Sequence, residues 1–346
     1  MMMMRTSLRL AGGFLVLLAV AFGLLAFQLN TLLQPVDVPA MAEEQILVSI
    51  PQGSSSTRIA NILEEEGLVR NATVFRFYAK FQGMDQGLQA GNYLLSYGMD
   101  MDEILAELSA GNVYRPTVSV TIPEGLTLEQ IAQRLEDRGL ADADEFMDLA
   151  GEAKPAMGQT HPEMRYAMEG YLFPDTYEFD EGVSAETILS RMQTRMEEVF
   201  TAEMRERAQE LGLSLHEVMT LASLVEREVQ APQERETVAA VMHNRMAIGM
   251  PLQIDATVLY ALGEHREQVL YVDLEVESPY NTYYVSGLPP GPIAAPGRGA
   301  IMAVLYPEDV DYLYYVLKRD GTGEHYFART YAEHQQNIRR SRNNRQ

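Results

Sequence analysis

A pattern of apolar and polar positions occurs twice in the first half of the chain, over residues 48–68 and again over residues 120–140. Each copy begins with alternating apolar positions, which predict a strand, and passes through a Pro/Gly turn. Apolar residues spaced three and four apart then predict an amphipathic helix that ends at a glycine, Gly67 or Gly139. Between the copies, the pattern predicts a strand and then a short helix ending near residue 111. This region is therefore expected to form small units that pair strands with helices.

Helical spacing dominates the second half, where a mixed helical domain with loops rich in Tyr, Pro and Gly is predicted. The predicted helices span residues 184–200, 204–211, 215–229 and 234–248. Ser214 is placed to cap the third helix, with Glu217 completing a capping box. Residues 278–297 contain too many prolines and glycines for regular structure, so they either line a cleft or form a rigid surface connection. The whole pattern predicts an α+β fold.

An uncharged apolar run of 18 residues, residues 10–27, precedes these elements. As a helix it would be about 27 Å long, enough to span the hydrocarbon core of a bilayer. Arg5 and Arg9 precede the run and no Lys or Arg occurs in residues 28–57, an asymmetry that keeps the N-terminus in the cytoplasm. A cleaved signal peptide is the alternative, but its apolar region is normally shorter. The prediction is one retained transmembrane helix over residues 10–29.

These patterns divide the chain into an exported body and the segments that tether it. The predicted divisions are a cytoplasmic tail (1–9), an anchor (10–29), a linker (30–44), a first small subdomain (45–115), a second strand–helix unit (116–156), a larger helical domain (157–338) and a basic tail (339–346). The tail carries the only cluster of Arg residues after the anchor and is expected to be a solvated end.

Composition removes several classes of chemistry. The 346 residues include no Cys, so disulfides and thiolate catalysis are excluded. A formal net charge of -22 argues against a nucleic-acid partner, which is bound through clustered Lys and Arg. The six His residues show no metal-ligand spacing, and the sequence contains neither a phosphate-binding loop nor a Gly-rich dinucleotide fingerprint. Carboxylate chemistry without a cofactor remains, as in glycan cleavage.

The predicted helix over residues 215–229 carries two carboxylates, Glu226 and Glu228, among mainly apolar residues. A carboxyl group in such surroundings loses solvation, so its pKa rises above the usual value of about 4.3 and it becomes a general acid near neutral pH. A solvated Glu-Arg-Glu face on an ordinary amphipathic helix is the alternative. Because residues two apart lie about 200° apart around a helix, the two carboxylates cannot share one role.

An ordered set of motifs follows from residue 169 onwards. The segments are Glu169-Gly-Tyr-Leu-Phe-Pro-Asp-Thr-Tyr177, Ala222-Ser-Leu-Val-Glu226-Arg-Glu228, Glu234-Arg235, Val238-Ala239, Asn244-Arg245, Gly249-Met250, Leu252-Gln253, Asp255, Thr257, Tyr260, Tyr280-Asn-Thr-Tyr283 and Gly287-Leu-Pro-Pro-Gly291. In content and order this set resembles the MltG/YceG-like family, and the resemblance extends from the apolar run to about residue 338. A set of this size in one order is not expected by chance.

The resemblance implies a membrane-anchored lyase, an endolytic murein transglycosylase, with a LysM-like subdomain over residues 45–115. Such enzymes cut peptidoglycan glycan strands internally between N-acetylmuramic acid and N-acetylglucosamine, and they leave a 1,6-anhydromuramoyl end without using water. The implied location is the bacterial inner membrane, crossed once, with the catalytic domain (157–338) in the periplasm beside peptidoglycan synthases. A non-catalytic peptidoglycan-binding scaffold and a muramidase-type hydrolase are the alternatives.

The resemblance also identifies Glu228 as the expected catalytic residue, because the family's catalytic glutamate is the second of the E-x-E pair. It is expected to act first as the acid and then as the base. Two positions depart from the family pattern: Val229 stands where Thr or Ser is usual, and Ala256 stands where Pro is common.

Side-chain chemistry suggests further residues that bind the substrate, each of which could instead hold the fold. Amide and phenol groups suit acetamido and hydroxyl groups, a second acid could support an oxocarbenium-like transition state, and an Arg could pair with an acid or a muramoyl carboxylate. These expected binding residues are Glu169, Arg245, Gln253, Asp255, Asn281 and Tyr283. Structural ion pairs are expected instead for Glu226, Glu234 and Arg235.

Overall fold

The computed structural model describes residues 27–28, 30–36, 43–157, 161–263 and 269–344. The chain forms two compact units that divide between Pro116 and Thr117. Among the described residues, no helix is both long enough and apolar enough to cross a bilayer. The transmembrane helix predicted for residues 10–29 lies almost entirely outside them.

The first unit is built on a two-stranded antiparallel sheet, in which β1 (Gln45–Ile50) pairs with β2 (Gly91–Ser96). Two helices, α1 (Ser56–Glu65) and α2 (Ala72–Phe81), connect the strands, and α3 (Met101–Ala110) follows them. Because side chains alternate along a strand, the cross-strand pair Val48 and Tyr93 faces a core shared with the helices.

Helix α2 is not predicted by the pattern, although Asn71 caps it by accepting a hydrogen bond from the Val74 N–H. Its buried face, which includes Phe75, packs into the core of the first unit. Phe77 and Phe81 lie on its exposed side, where polar residues are expected.

The second unit begins with the same arrangement of elements. Strand β3 (Thr117–Thr121), helices α4 (Leu128–Asp137) and α5 (Ala143–Glu152), and strand β4 (Thr176–Asp180) follow in order, and β3 pairs antiparallel with β4. The repeat in the sequence therefore marks two strand–helix–helix–strand units. The repeat predicts the first strand and first helix of each unit, and the strand and short helix predicted between the copies are β2 and α3. The second helix of each unit and β4 are not predicted, because they are not similar in sequence.

A group of helices follows and forms most of the second core. They are α6 (Ala185–Val199), α7 (Ala202–Glu210), α8 (Leu215–Glu228), α9 (Arg235–Ala247), α10 (Asp255–Leu262) and α11 (Arg298–Leu305). Helix α8 is central because residues 218–225 are all buried and α7, α9, α10 and α11 pack against it. The four predicted helices agree with α6 to α9 within two residues, and the α+β class is confirmed.

The chain ends with an antiparallel hairpin of β5 (Tyr314–Leu317) and β6 (His325–Ala328), followed by α12 (Tyr331–Asn343). The Arg340 guanidinium lies 4.2 Å from the centre of the Tyr326 ring, and the buried Ser341 hydroxyl donates to the Leu317 carbonyl. Residues 339–343 therefore continue α12, with Ser341 buried and the other four residues exposed to solvent.

Candidate active site

Helix α8 carries Glu228 in its last turn. At its start, the Ser214 hydroxyl accepts from the Glu217 N–H at 3.2 Å, and the Glu217 carboxylate accepts from the Ser214 N–H at 2.8 Å. This is the predicted capping box. At its end, Val229 is extended, with φ of -91° and ψ of 116°. The helix is thus held by its capping box, by its end at Val229 and by its buried middle. Together these fix the position from which the Glu228 side chain projects.

The Glu228 carboxyl is half-buried and receives two hydrogen bonds. The Tyr315 hydroxyl donates to Oε2 at 3.0 Å, and the Ala256 N–H in the first turn of α10 is the second donor. Loss of solvation raises the pKa of Glu228 to about 7, and the nearby charge of Asp255 contributes to the rise. The two hydrogen bonds and the charge of Arg245 act in the opposite direction. A carboxyl group with this pKa can release and recover a proton at neutral pH.

Asp255 is a second acid in this group and occupies the first position of α10, exposed to solvent. The Tyr283 hydroxyl donates to its Oδ1 at 2.7 Å. Burial, together with this acceptor, raises the pKa of Tyr283, so its phenol stays neutral and remains a hydrogen-bond donor. The structure therefore brings together three of the expected site residues, Glu228, Asp255 and Tyr283.

Arg245 on α9 lies beside this group but is only 7% exposed. Its Nε donates to the Leu313 carbonyl at 2.6 Å and its Nη1 to the Leu252 carbonyl at 2.6 Å. These bonds connect the segment just before β5 to the segment just before Gln253. Burial lowers the pKa of Arg245, while neighbouring Tyr and Glu228 groups oppose that shift. The structure thus gives Arg245 a role in holding the site, with its positive charge near Glu228.

Gln253 is exposed, and its backbone lies in the left-handed region at φ 52°. Thr282 holds this segment in place through two hydrogen bonds. Its carbonyl accepts from the Gln253 N–H at 3.1 Å, and its hydroxyl accepts from the Ile254 N–H at 2.9 Å. A non-glycine residue in this conformation costs about 1 kcal/mol. Within the described part of the chain, the side-chain amide of Gln253 makes no hydrogen bond, so it is open to a ligand two residues before Asp255.

Replacing Gln253 with Gly tests whether this amide is used. We expect the free energy of unfolding to stay within about 1 kcal/mol, because relief of the left-handed strain offsets the greater chain entropy of glycine. Glycan cleavage should fall, whereas Gln253→Asn, which keeps an amide and tolerates this conformation, should retain more activity. Urea unfolding and product yield are the measurements. Equal activity in Gln253→Gly and the parent would show that the side chain does not contact the substrate.

Asn281 is fully buried, and its side-chain amide is bonded to backbone groups of its own loop. Nδ2 donates to the carbonyls of Leu274 and Val276, both at 2.9 Å, and Oδ1 accepts from the Tyr283 N–H at 3.0 Å. This corrects the prediction that Asn281 contacts the substrate. Its place in the structure is to position Tyr283.

Glu226 faces a different set of residues from Glu228, as the helical spacing requires. Its side chain is 8% exposed, accepts from the Gly297 N–H at 3.1 Å and pairs with the Arg235 guanidinium at 3.3 Å. Glu234 accepts from the backbone N–H of His325 at 3.0 Å and bonds its ring Nδ1 at 2.8 Å. The structural pairs expected for these three charged residues are present.

Glu169 is 1% exposed and lies in the interior of the second unit. Its Oε1 accepts from the N–H of Leu128, the first residue of α4, at 3.0 Å, and its Oε2 accepts from the Tyr260 hydroxyl on α10 at 3.1 Å. Burial raises the pKa of Glu169 to about 8 despite both bonds. These contacts correct its expected role in substrate binding, because the carboxyl joins α4 to α10 away from solvent.

The raised pKa of Glu169 predicts a dependence of stability on pH. The folded state holds this proton up to about pH 8, whereas the unfolded state holds it only to about pH 4.5. The contribution of this proton to the free energy of unfolding is therefore full below pH 4.5 and is lost as pH rises through 8. Glu169→Gln imitates the protonated carboxyl, so its free energy of unfolding should decline less between about pH 5 and pH 9. Urea unfolding measures this, with the exposed Glu181→Gln as control. Parallel curves for Glu169→Gln and the parent would contradict the assignment.

Tyr315 is the site residue that sequence reasoning missed. It belongs to a Tyr-rich stretch, and alternation along a short strand places it on the opposite side from Tyr314, over which the Arg245 guanidinium lies at 5.5 Å. The composition of this stretch was the only signal available, because nothing local connects residue 315 to a helix that ends at residue 228. Among the described residues, no group of His, Asp and Glu side chains is arranged to hold a metal ion.

A half-buried glutamate with a pKa near 7, held by a Tyr hydroxyl and a helix N-terminus beside an exposed Asp, is the geometry of an acid–base enzyme site. The YceG-like family profile matches residues 48–340 of the chain. The chain therefore belongs to the YceG-like family.

Individual relatives agree with this assignment. The endolytic murein transglycosylase of Bacillus subtilis (strain 168) is 37% identical over 321 residues, covering 88% of this chain and 86% of the relative. The endolytic murein transglycosylase of Streptococcus pneumoniae serotype 2 (strain D39 / NCTC 7466) is 33% identical over 357 aligned positions, covering 94% of this chain but only 64% of that longer protein. A 2.6 Å crystal structure of the yceG-like protein lmo1499 from Listeria monocytogenes has a TM-score of 0.60 and 38% identity, covering 85% of this chain and 99% of that one.

Proposed function

We propose that this chain is an endolytic peptidoglycan transglycosylase, a lyase that cuts glycan strands between N-acetylmuramic acid and N-acetylglucosamine. Family membership and two relatives named as endolytic murein transglycosylases support the reaction class. The single observation that carries the mechanism is the Glu228 carboxyl, whose pKa of about 7 suits both directions of proton transfer. No second carboxylate is needed to activate water, unlike the arrangement of most glycoside hydrolases.

The reaction uses one proton twice. Glu228, protonated, gives its proton to the glycosidic oxygen as the bond from that oxygen to C1 of the muramic acid breaks. The ring then carries oxocarbenium-like positive charge, and Glu228 has become a carboxylate. It takes the proton from the C6 hydroxyl while the C6 oxygen bonds to C1, which closes the 1,6-anhydro ring and restores the acid for the next cycle.

The neighbours of Glu228 support both steps. Asp255 supplies negative charge beside the developing oxocarbenium, and the Tyr283 hydroxyl, which bonds Asp255 at 2.7 Å, orients it. The exposed Gln253 amide binds acetamido or hydroxyl groups of the sugar. Arg245 and Asn281 act through the backbone that they hold, since their hydrogen bonds described above go to main-chain groups.

The proposed location is supported by the sequence. We propose that residues 10–29 cross the bacterial inner membrane once, that the body lies in the periplasm, and that residues 45–115 form a LysM-like subdomain. The apolar run with Arg residues on one side supports the anchor, and the two strand–helix–helix–strand units support small binding modules. Cutting near the membrane would release or terminate nascent strands beside peptidoglycan synthases.

Digestion of purified glycan strands tests the proposal. Internal cuts with 1,6-anhydromuramoyl ends, identified by mass spectrometry, are the expected product. Ordinary reducing ends would indicate a muramidase-type hydrolase. The absence of any cleavage by protein with a normal unfolding transition would indicate a peptidoglycan-binding scaffold.

A further inference from the structure

The first unit exposes an apolar face on α2 that its core does not use. Ala72, Phe75 and Ala79 on the opposite side of the helix are buried. On the outer side, Phe77 is 60% exposed and Phe81, one turn later, is 86% exposed. Met84 extends the same face just beyond the helix at 39% exposed. Large apolar side chains grouped on one face at this exposure are typical of a binding surface. We call Phe77, Phe81 and Met84, with Lys80 between them, the α2 outer face.

The charge around this face is opposite to that of the whole protein. Residues 70–84 contain Arg70, Arg76 and Lys80 and no Asp or Glu, in a chain whose formal net charge is -22. The Arg76 guanidinium lies 5.1 Å from the centre of the Phe77 ring. The carboxylate of Asp102 lies at the side, bonded by the Tyr78 hydroxyl at 2.8 Å. Aromatic residues interleaved with cations fit a surface that is apolar inside and anionic outside.

The chain that leads out of the proposed anchor is attached next to this helix. Leu33 packs against the core of the first unit, and the Arg70 guanidinium donates to the Pro35 carbonyl at 2.7 Å. Arg70 immediately precedes Asn71, the residue that caps α2. A segment that starts at the bilayer is thus fixed at the N-terminal end of α2, within a few residues of the anchor.

From these observations we propose that the α2 outer face docks on the bilayer to which the chain is tethered, with anionic lipid as its partner. Phe77, Phe81 and Met84 enter the boundary between headgroups and acyl chains, while Arg76 and Lys80 contact lipid phosphates. Such a small patch binds weakly by itself, but the tether holds it at high effective concentration beside the membrane. Docking would fix the first unit against the membrane surface. The inference rests on the proposed anchor and is independent of the proposed chemistry.

The full chain in lipid vesicles provides the test. Because the sequence contains no Cys, Phe81→Cys gives a single site for a nitroxide label, and Leu47→Cys gives a control site that is 56% exposed on the outer side of β1. The vesicles contain phosphatidylethanolamine with phosphatidylglycerol, or phosphatidylcholine alone. Collision of the label with oxygen, which concentrates in lipid, is compared with collision with a water-soluble nickel chelate. Vesicle flotation and strand cleavage are measured on the same samples.

We expect the ratio of oxygen to nickel collisions to be severalfold higher at position 81 than at position 47 in the anionic vesicles. The ratio at position 81 should fall towards the control in phosphatidylcholine, and also in anionic vesicles after Arg76→Gln and Lys80→Gln. Equal, water-like collision ratios at both positions in floated protein would overturn the docking. A protein partner would then be the alternative occupant of this face. Failure to float would overturn the anchor and the docking together. Cleavage of strands is judged separately, so it can succeed or fail without changing either result.

Discussion

Glu228→Gln is expected to abolish the formation of 1,6-anhydro ends. The amide has nearly the shape of the protonated carboxyl, so the variant should fold, but it can neither protonate the glycosidic oxygen nor accept the C6 proton. General acid–base catalysis contributes about 10²- to 10⁴-fold for each transfer, so a loss of at least about 10³-fold in product formation is expected when one group performs both. Digestion of glycan strands followed by mass spectrometry measures it.

Glu226→Gln is the matched control, since it makes the same chemical change two residues away on the same helix. Its amide oxygen can still accept from the Gly297 N–H, but the ion pair with Arg235 at 3.3 Å is lost. Arg235 keeps Glu124 as a second partner, also at 3.3 Å, so the loss in free energy of unfolding should be about 1–2 kcal/mol. Activity should stay within about tenfold of the parent. An active Glu228→Gln beside an inactive Glu226→Gln would reverse the assignment.

Features determined by neighbouring residues could be predicted from the sequence. Helix α8 begins and ends within one residue of its prediction, because the Ser214 capping box and the apolar spacing are local signals. The separation of Glu226 from Glu228 is equally local, since it follows from helical geometry. Short helices such as α10 and α11, with eight residues each, carry too few periods to be recognised.

Features determined by contacts between distant residues could not be predicted. Tyr315 reaches Glu228 only because the β5 strand lies against the site, 87 positions further along the chain. Polar residues present a related difficulty: Asn281 and Glu169 carry groups that a substrate would use, but the fold gives those groups protein partners. Whether a polar side chain binds ligand or backbone depends on what surrounds it, and only the three-dimensional structure supplies that.

Tyr315→Phe is expected to move the pH dependence of cleavage. In the parent, kcat/KM should decline above about pH 7, where Glu228 loses the proton that the first step needs. The Tyr315 hydroxyl stabilises the carboxylate form, so removing it favours the protonated form and raises the pKa of Glu228 further. A hydrogen bond to a charged group contributes roughly 1.5–3 kcal/mol, which corresponds to a shift of about 1–2 pH units.

The pH profile distinguishes this positioning role of Tyr315 from a merely structural one. A structural loss would lower the rate at every pH and leave the midpoint of the alkaline decline in place, whereas loss of the hydrogen bond to Glu228 moves that midpoint upward. Tyr314→Phe is the matched control, because it removes the neighbouring phenol, which lies on the other side of β5 next to Arg245, and it should leave the midpoint unchanged. A Tyr315→Phe midpoint that equals the parent's, or lies below it, would mean that the hydroxyl does not stabilise the catalytic carboxylate. The pKa of Glu228 would then be set by its burial, the charges of Asp255 and Arg245, and the Ala256 N–H.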